Sequence, residues 1–233
     1  MPVNALPQAL ASTSADPGHT QSFFCYRVNK GRGGSPAGVA SEAAATAASG
    51  LLEGPPEFRL VDVPGVGYTS EASGVDTGDR ASWRGLLERY MTVRAGLAVV
   101  FHLVDAKAGL QPADFDLLKL AASALTNRKN GEGTEARLAT VKYVLVLTKA
   151  DKVTSLEAQA QAREVQACAA QEFAAATAAA ADVDSDGGAG EHGRRGLTAP
   201  QVIVTSAKAR PPLGRDRLWE CLVETLLEEK EQP

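Results

Sequence analysis

Apolar residues along this chain gather into five short runs rich in β-branched or aromatic side chains. They are SFFCYRV at 22 to 28, EFRLVDV at 57 to 63, LAVVFHLVD at 97 to 105, KYVLVLT at 142 to 148 and QVIVTS at 201 to 206. Each has the length and composition of a β-strand. Helical spacing fills most of the intervals. Between Asp79 and Arg94, Trp83, Leu86, Leu87, Tyr90 and Val93 recur every three or four residues, a stripe suited to packing on a sheet. Pro112 suits the first turn of a further helix in which Phe115, Leu118 and Leu120 are apolar. An alanine-rich stretch beyond Thr154 carries Leu156, Val165, Cys168 and Phe173, and the last helix offers Leu218, Trp219, Leu222, Leu226 and Leu227. Strands and helices in alternation predict an α/β fold: a mostly parallel sheet with helices on both faces.

Three segments lack a usable apolar period and read as surface insertions into a single domain: Lys30 to Pro56, Asn127 to Thr140 and Asp182 to Pro200. Loop closure entropy rises slowly with length, so such additions cost a fold little. GRGGSPAG in the first insertion has the look of a phosphate-binding loop. It lacks the following Lys-Ser or Lys-Thr and a helix start, which argues against phosphate binding there.

Composition changes this picture only at the margins. Hydrophobic residues at 44% and charged residues at 22% are ordinary for a globular domain, whereas aromatics at 5% predict an aliphatic core. A net charge of -4 offers no overall attraction to a phosphate backbone, so any RNA contact needs a local basic patch. Cys25, Cys168 and Cys221 are odd in number and widely spaced, which points away from a disulfide framework or metal pairing and towards three small buried hydrophobes. No apolar run has the ~20 residues of a membrane span.

Candidate chemistry clusters at the ends of the predicted strands. In LVDVPGVGY a strand ends in Asp62, and Val63, Pro64 and Gly65 turn the chain. Such a turn can carry an acidic residue to a metal and a backbone N–H to a terminal phosphate. In VLVLTKADK, Thr148, Lys149, Ala150 and Asp151 follow another strand. An ionised Asp151 only accepts hydrogen bonds, and guanine offers it two donors, N1–H and the 2-amino group, that adenine lacks. Lys149 can lay its stem along a base or bridge to a phosphate loop, while Thr148 steadies the turn. In VIVTSAK, Thr205, Ser206 and Ala207 end a third strand, and the Ala207 N–H can donate to guanine O6. In DPGHTQ, Gly18, His19, Thr20 and Gln21 precede the first strand, and Thr20 can offer a hydroxyl to Mg²⁺ and an N–H to phosphate. Taken singly, each run also fits a bland turn after a strand.

All four occur together, in order. DPGHTQ, VDVPGVGY, WRGLLERYMTVR at 83 to 94, LVDAKAG with the later Asp114, and LTKADK resemble the EngB (YihA) family of P-loop GTPases. The resemblance covers almost the whole chain apart from the insertions. It implies a P-loop NTPase (G domain) fold, with GTP and Mg²⁺ as cofactors. It implies that Thr20 and Asp62 serve the metal, that Gly18 to Gln21 and Asp62 to Gly65 serve the phosphates, and that Thr148 to Asp151 and Thr205 to Ala207 read guanine. It further implies a monomer acting in assembly of the large ribosomal subunit or on its rRNA, linked to septation. The compartment would be the cytoplasm in a bacterium, or a mitochondrion or plastid in a eukaryote. His19 stands where the family has Arg or Lys, and Val66 where it has an aromatic residue. Val66 also occupies the place of the water-orienting Gln of Ras-like proteins, so no catalytic side chain is assigned.

One motif of that family is not in the sequence. No Gly-Lys dipeptide occurs, so GxxxxGK[ST] is absent, and MPVNALPQAL resembles the helix that follows that loop. The expectation is a G domain whose first strand and phosphate loop are missing, and which binds GTP weakly. Three readings compete: a GTPase with an incomplete gene model, a nucleotide-free pseudo-GTPase that binds partners through the same surfaces, and another enzyme or RNA-binding domain on a similar sheet. Nothing in the sequence supports the third.

Overall fold

A computed structural model describes residues 23–28, 58–63, 77–128, 141–184 and 199–230. In chain order the elements are β1 (Phe24–Val28), β2 (Phe58–Asp62), α1 (Thr77–Val93), β3 (Val99–Asp105), α2 (Pro112–Thr126), β4 (Lys142–Thr148), a 3-10 turn (Ala150–Lys152), α3 (Ser155–Asp184), β5 (Gln201–Val204) and α4 (Arg215–Lys230). All five apolar runs form strands.

The parallel part of the prediction is a three-stranded sheet in the order β3-β4-β5. β1 and β2 instead pair antiparallel as a separate two-stranded sheet, with Phe24 opposite Asp62 and Val28 opposite Phe58. The central strand β4 is buried from Tyr143 to Leu147, because helices cover both of its faces. That is why KYVLVLT reads as a continuous apolar run and not as an alternation.

On one face Leu145 and Leu147 of β4 and Val104 of β3 pack with Leu118, Ala121 and Leu125 of α2, Val165, Ala169 and Phe173 of α3, and Met91 of α1. On the other, Val144, Val146 and Ile203 meet Cys221 of α4, with Val99, Phe101 and Leu218 beside them. Full burial of an aliphatic side chain such as Leu118 or Leu145 contributes roughly 1.5–3 kcal/mol. Two rings tie the smaller sheet to this body: Phe58 lies 6.3 Å from Trp219 of α4, and Phe23, just before β1, lies 5.6 Å from Tyr90 of α1.

Local chemistry sets the helix ends. Pro112 opens α2 as expected, and the Asp114 carboxylate accepts from the backbone N–H of Gln111 at 2.7 Å. Thr154 and Glu157 form a reciprocal pair at the start of α3: Thr154 N–H donates to Glu157 Oε2 at 2.7 Å, and Glu157 N–H donates to Thr154 Oγ1 at 3.2 Å. The Arg128 guanidinium closes α1 by donating to the carbonyls of Met91 and Arg94, the second at 2.8 Å.

Several expectations need correction. Leu86 and Val93 of α1, Leu156 of α3, and Trp219 and Leu227 of α4 are exposed. The inward faces are set by neighbours that periodicity cannot see: Met91 in α1, and Cys221 and Thr225 in α4. Of the three cysteines only Cys221 is buried; Cys168 is half-buried and Cys25 exposed. Asn127 caps α2 through an N–H to Ser123 O at 3.0 Å, and α3 runs on to Asp184, so two of the expected insertions start later than their composition suggested. Pro200, at the far end of the last one, is buried, while residues 129–140 and 185–198 lie outside the described residues, as does all of Lys30 to Pro56.

Candidate functional site

Three strands that run parallel end side by side, so their following loops meet at one edge of the sheet. Backbone bonds stitch the loops together. Ala106 N–H donates to Thr148 O at 2.9 Å, Thr205 N–H to Leu147 O at 2.7 Å and Ala150 N–H to Thr205 O at 3.1 Å. Two hydroxyls repeat the stitching: Thr148 Oγ1 donates to Val104 O and Thr205 Oγ1 to Leu147 O, both at 3.1 Å. Thr148, expected to steady the turn, reaches across to β3.

The chain turns sharply after β4. Lys149 has φ 57 and ψ 34, the left-handed conformation, and it is the only non-glycine residue with positive φ among those described. Holding a side-chain-bearing residue there costs on the order of 1–3 kcal/mol and needs support from its surroundings. Support comes from both sides of the turn. Ala150 is held by β5 as above, and the Lys149 ammonium lies 2.8 Å from Asp105 Oδ2 at the end of β3.

Asp151 follows at once, on the exposed rim. Ser206, itself buried, donates its hydroxyl to Asp151 Oδ1 and accepts the Ala209 N–H at 3.1 Å. The Ser206 hydrogen bond, aided by the charges of Lys208 and Lys152, holds the Asp151 carboxyl below its usual range. Asp151 is therefore an ionised acceptor at neutral pH with its orientation set from beneath. Ala207 is exposed, and its N–H makes no hydrogen bond among the described residues. The loop beyond returns to Ser206 through mutual backbone bonds with Leu213, at 3.1 and 3.0 Å, and closes at Gly214, whose φ is 74.

The structure thus brings Thr148, Lys149, Ala150, Asp151, Thr205, Ser206 and Ala207 into one rim. Asp62 ends β2 in the smaller sheet and Val63 follows it, and among the described residues no hydrogen bond or ion pair joins them to that rim. Gly18, His19, Thr20, Gln21, Pro64 and Gly65 lie outside the described residues. Among the described residues no three His, Cys, Asp or Glu side chains form a group able to hold a metal.

Sequence reasoning gave no role to Asp105, which ends β3 inside the quoted LVDAKAG run. Its Oδ1 accepts the backbone N–H of Lys107 at 2.9 Å and of Ala108 at 3.4 Å, and the hydrogen bond from Lys149 is the main cause that lowers its pKa. A carboxylate at a strand end followed by a turn to Gly109 was the available signal. His102 and Tyr143 were also passed over, because each sits within an apolar run that reads as strand core.

Fold and rim define a class: an α/β protein whose parallel sheet is covered on both faces, with its polar loops gathered where ligands bind in such sheets, outside the carboxyl ends of the strands. The family model described as 50S ribosome-binding GTPase matches residues 3–149, more than half of the chain, and the chain belongs to that family. The Probable GTP-binding protein EngB of Bradyrhizobium diazoefficiens is 33% identical over 175 residues, covering 74% of this chain and 61% of the relative. The protein of the same name from Afipia carboxidovorans is 35% identical over 153 residues, covering 65% of this chain and 52% of that one. The chain spans about half to three-fifths of the length of these curated relatives. Among solved structures, the apo form of translation elongation factor SelB from Methanococcus maripaludis matches 73% of this chain and 25% of that one, at 15% identity and a TM-score of 0.41.

Proposed function

We infer that this chain binds guanine nucleotides through the rim at the end of β3, β4 and β5, and acts as a GTPase of the EngB type. The observation that carries the reading is the pair Asp151–Ser206: an ionised, exposed carboxylate oriented by a buried hydroxyl beside the exposed Ala207. A fixed acceptor next to a backbone donor matches the edge of guanine, where N1–H and the 2-amino group donate and O6 accepts, and mismatches adenine. A site built for those hydrogen bonds rejects a base that lacks them by a large factor, because its own polar groups are left unpaired.

Asp62 fits a part in metal binding. It is exposed at the carboxyl end of β2, and its carboxylate has no hydrogen bond or ion pair among the described residues. Mg²⁺ keeps several waters and needs only one or two protein oxygens besides the phosphates, which Asp62 and Thr20 would supply. When bound, that ion neutralises phosphate charge. Gly18, His19 and Gln21, with Val63, Pro64 and Gly65, would face the phosphates. Ribosomal RNA or protein of the large subunit is the partner in this reading, and a role in septation would follow from that assembly step.

Titration with GDP, GTP and ADP, followed by amide NMR so that weak binding registers, tests the proposal. Shifts at Lys149, Asp151 and Ala207 with guanine nucleotides and none with ADP are expected. Equal response to both bases overturns it. No response to either favours a nucleotide-free interaction module.

A further inference from the structure

We propose that Asp105 is a positioning residue for base recognition, holding Lys149 across the carboxyl end of the sheet so that its stem forms one wall of the base site. This rests on the reading of the rim as a guanine site.

The turn after β4 has two anchors on opposite sides. Ala150 N–H is bound by Thr205 O on the β5 side, and Lys149 Nζ by Asp105 Oδ2 on the β3 side. Between them Lys149 adopts the left-handed backbone, so its side chain and the next peptide are directed to different strands. A lysine has much rotamer freedom to lose, and a half-exposed one beside an incoming ring would be free to swing away. Asp105 removes that freedom before a ligand arrives. Its own carboxylate is fixed by the backbone N–H groups of Lys107 and Ala108 through the other oxygen, so the anchor is itself anchored. Asp105 need not touch a nucleotide for this. Base choice stays with Asp151, and Asp105 acts on affinity alone.

The pair is partly exposed, its side chains at 50% and 28%, so solvent screens it and the effect is modest. Asp105→Asn keeps an oxygen for the Lys107 and Ala108 N–H groups and removes the charge that holds Lys149. In the ligand-free chain, brief acylation with mass-spectrometric readout should find Lys149 more reactive in D105N than in the wild type. Guanine-nucleotide affinity should fall about three- to fivefold in D105N, the size expected of an exposed pair. The ratio of guanine to adenine affinity should not change. In a double-mutant cycle D105N should cost nothing further on top of Lys149→Ala.

Independent losses from D105N and K149A that multiply in the double variant overturn the proposal, as does unchanged Lys149 reactivity. A wild-type chain that binds guanine and adenine nucleotides alike, with Lys149 still protected by Asp105, refutes the base site and not the anchor.

Discussion

His102 Nε2 lies 3.0 Å from Asp114 Oδ1, joining the middle of an otherwise apolar strand to the first turn of α2. The other ring nitrogen, Nδ1, is 2.9 Å from the buried hydroxyl of Tyr143 on β4. Both polar groups of the strand pair are therefore satisfied by each other and by one carboxylate, whose second oxygen takes the Gln111 N–H at the helix start. Burial drives the Tyr143 hydroxyl well above its usual range, with the Asp114 charge adding to it, so Tyr143 stays neutral. This chain of contacts ties the start of α2 to the middle of the sheet.

Asp114→Asn should destabilise the chain by about 1.5–3 kcal/mol at neutral pH, the range for a hydrogen bond to a charged group. Burial works against the Asp114 charge, but the bonds to His102 and Gln111 win and hold its pKa below the ordinary value of 3.8. A depressed carboxylate contributes stability above its unfolded pKa and loses it as pH falls through the folded one. The gap between wild type and D114N in urea denaturation should therefore be full at pH 6 and shrink below about pH 4.

Arg128 offers a different check. Burial alone lowers its pKa, and the carbonyls of Met91 and Arg94 hold its guanidinium. Arg128→Met keeps the stem and removes the donors, and should cost about 1–3 kcal/mol. Hydrogen exchange should quicken in the last turn of α1 while β4 stays protected. Uniform loss of protection would show that Arg128 supports the whole core instead.

Gly214 should tolerate no side chain. Its φ is 74, and a Cβ would run into the Val204 carbonyl and crowd the Thr205 methyl. Gly214→Ala should destabilise by about 2 kcal/mol or more, from strain and displacement together. Because Gly214 closes the loop that starts at Ser206, NMR shifts at Ser206 and Ala207 should accompany the loss.

Asp151→Asn should turn base preference from guanine towards xanthine. Asparagine adds an N–H₂ donor, and xanthine carries a carbonyl where guanine carries its amino group. Competition between GDP and xanthosine diphosphate against a fluorescent nucleotide measures the change. Ser206→Ala should weaken guanine binding without that reversal, since it frees Asp151 but leaves its charge.

Much of the architecture was legible from patterns that are local. Strand runs, helix-opening Pro112 and the polar loops after β3, β4 and β5 each depend on a few adjacent residues, and those predictions agree with the fold. The residues from Thr148 to Asp151 and from Thr205 to Ala207 could be named from the motif runs LTKADK and VIVTSAK, and parallel strands bring those runs to one edge. What stayed hidden depended on neighbours distant in sequence. Cys25 is as apolar as Cys221, yet one is exposed on the small sheet and the other is buried on the inner face of α4.

The sequence by itself determined which segments become strands and helices, and which loops carry polar chemistry, because periodicity and turn residues act over a few positions. Only the tertiary structure decided that β1 and β2 form a separate antiparallel pair, that His102 finds Tyr143 and Asp114, and that Lys149 is held by Asp105. Those outcomes are contacts between residues 12 to 44 positions apart. Their energy exists only once the chain has brought the partners within a few ångströms, so no local pattern could announce them.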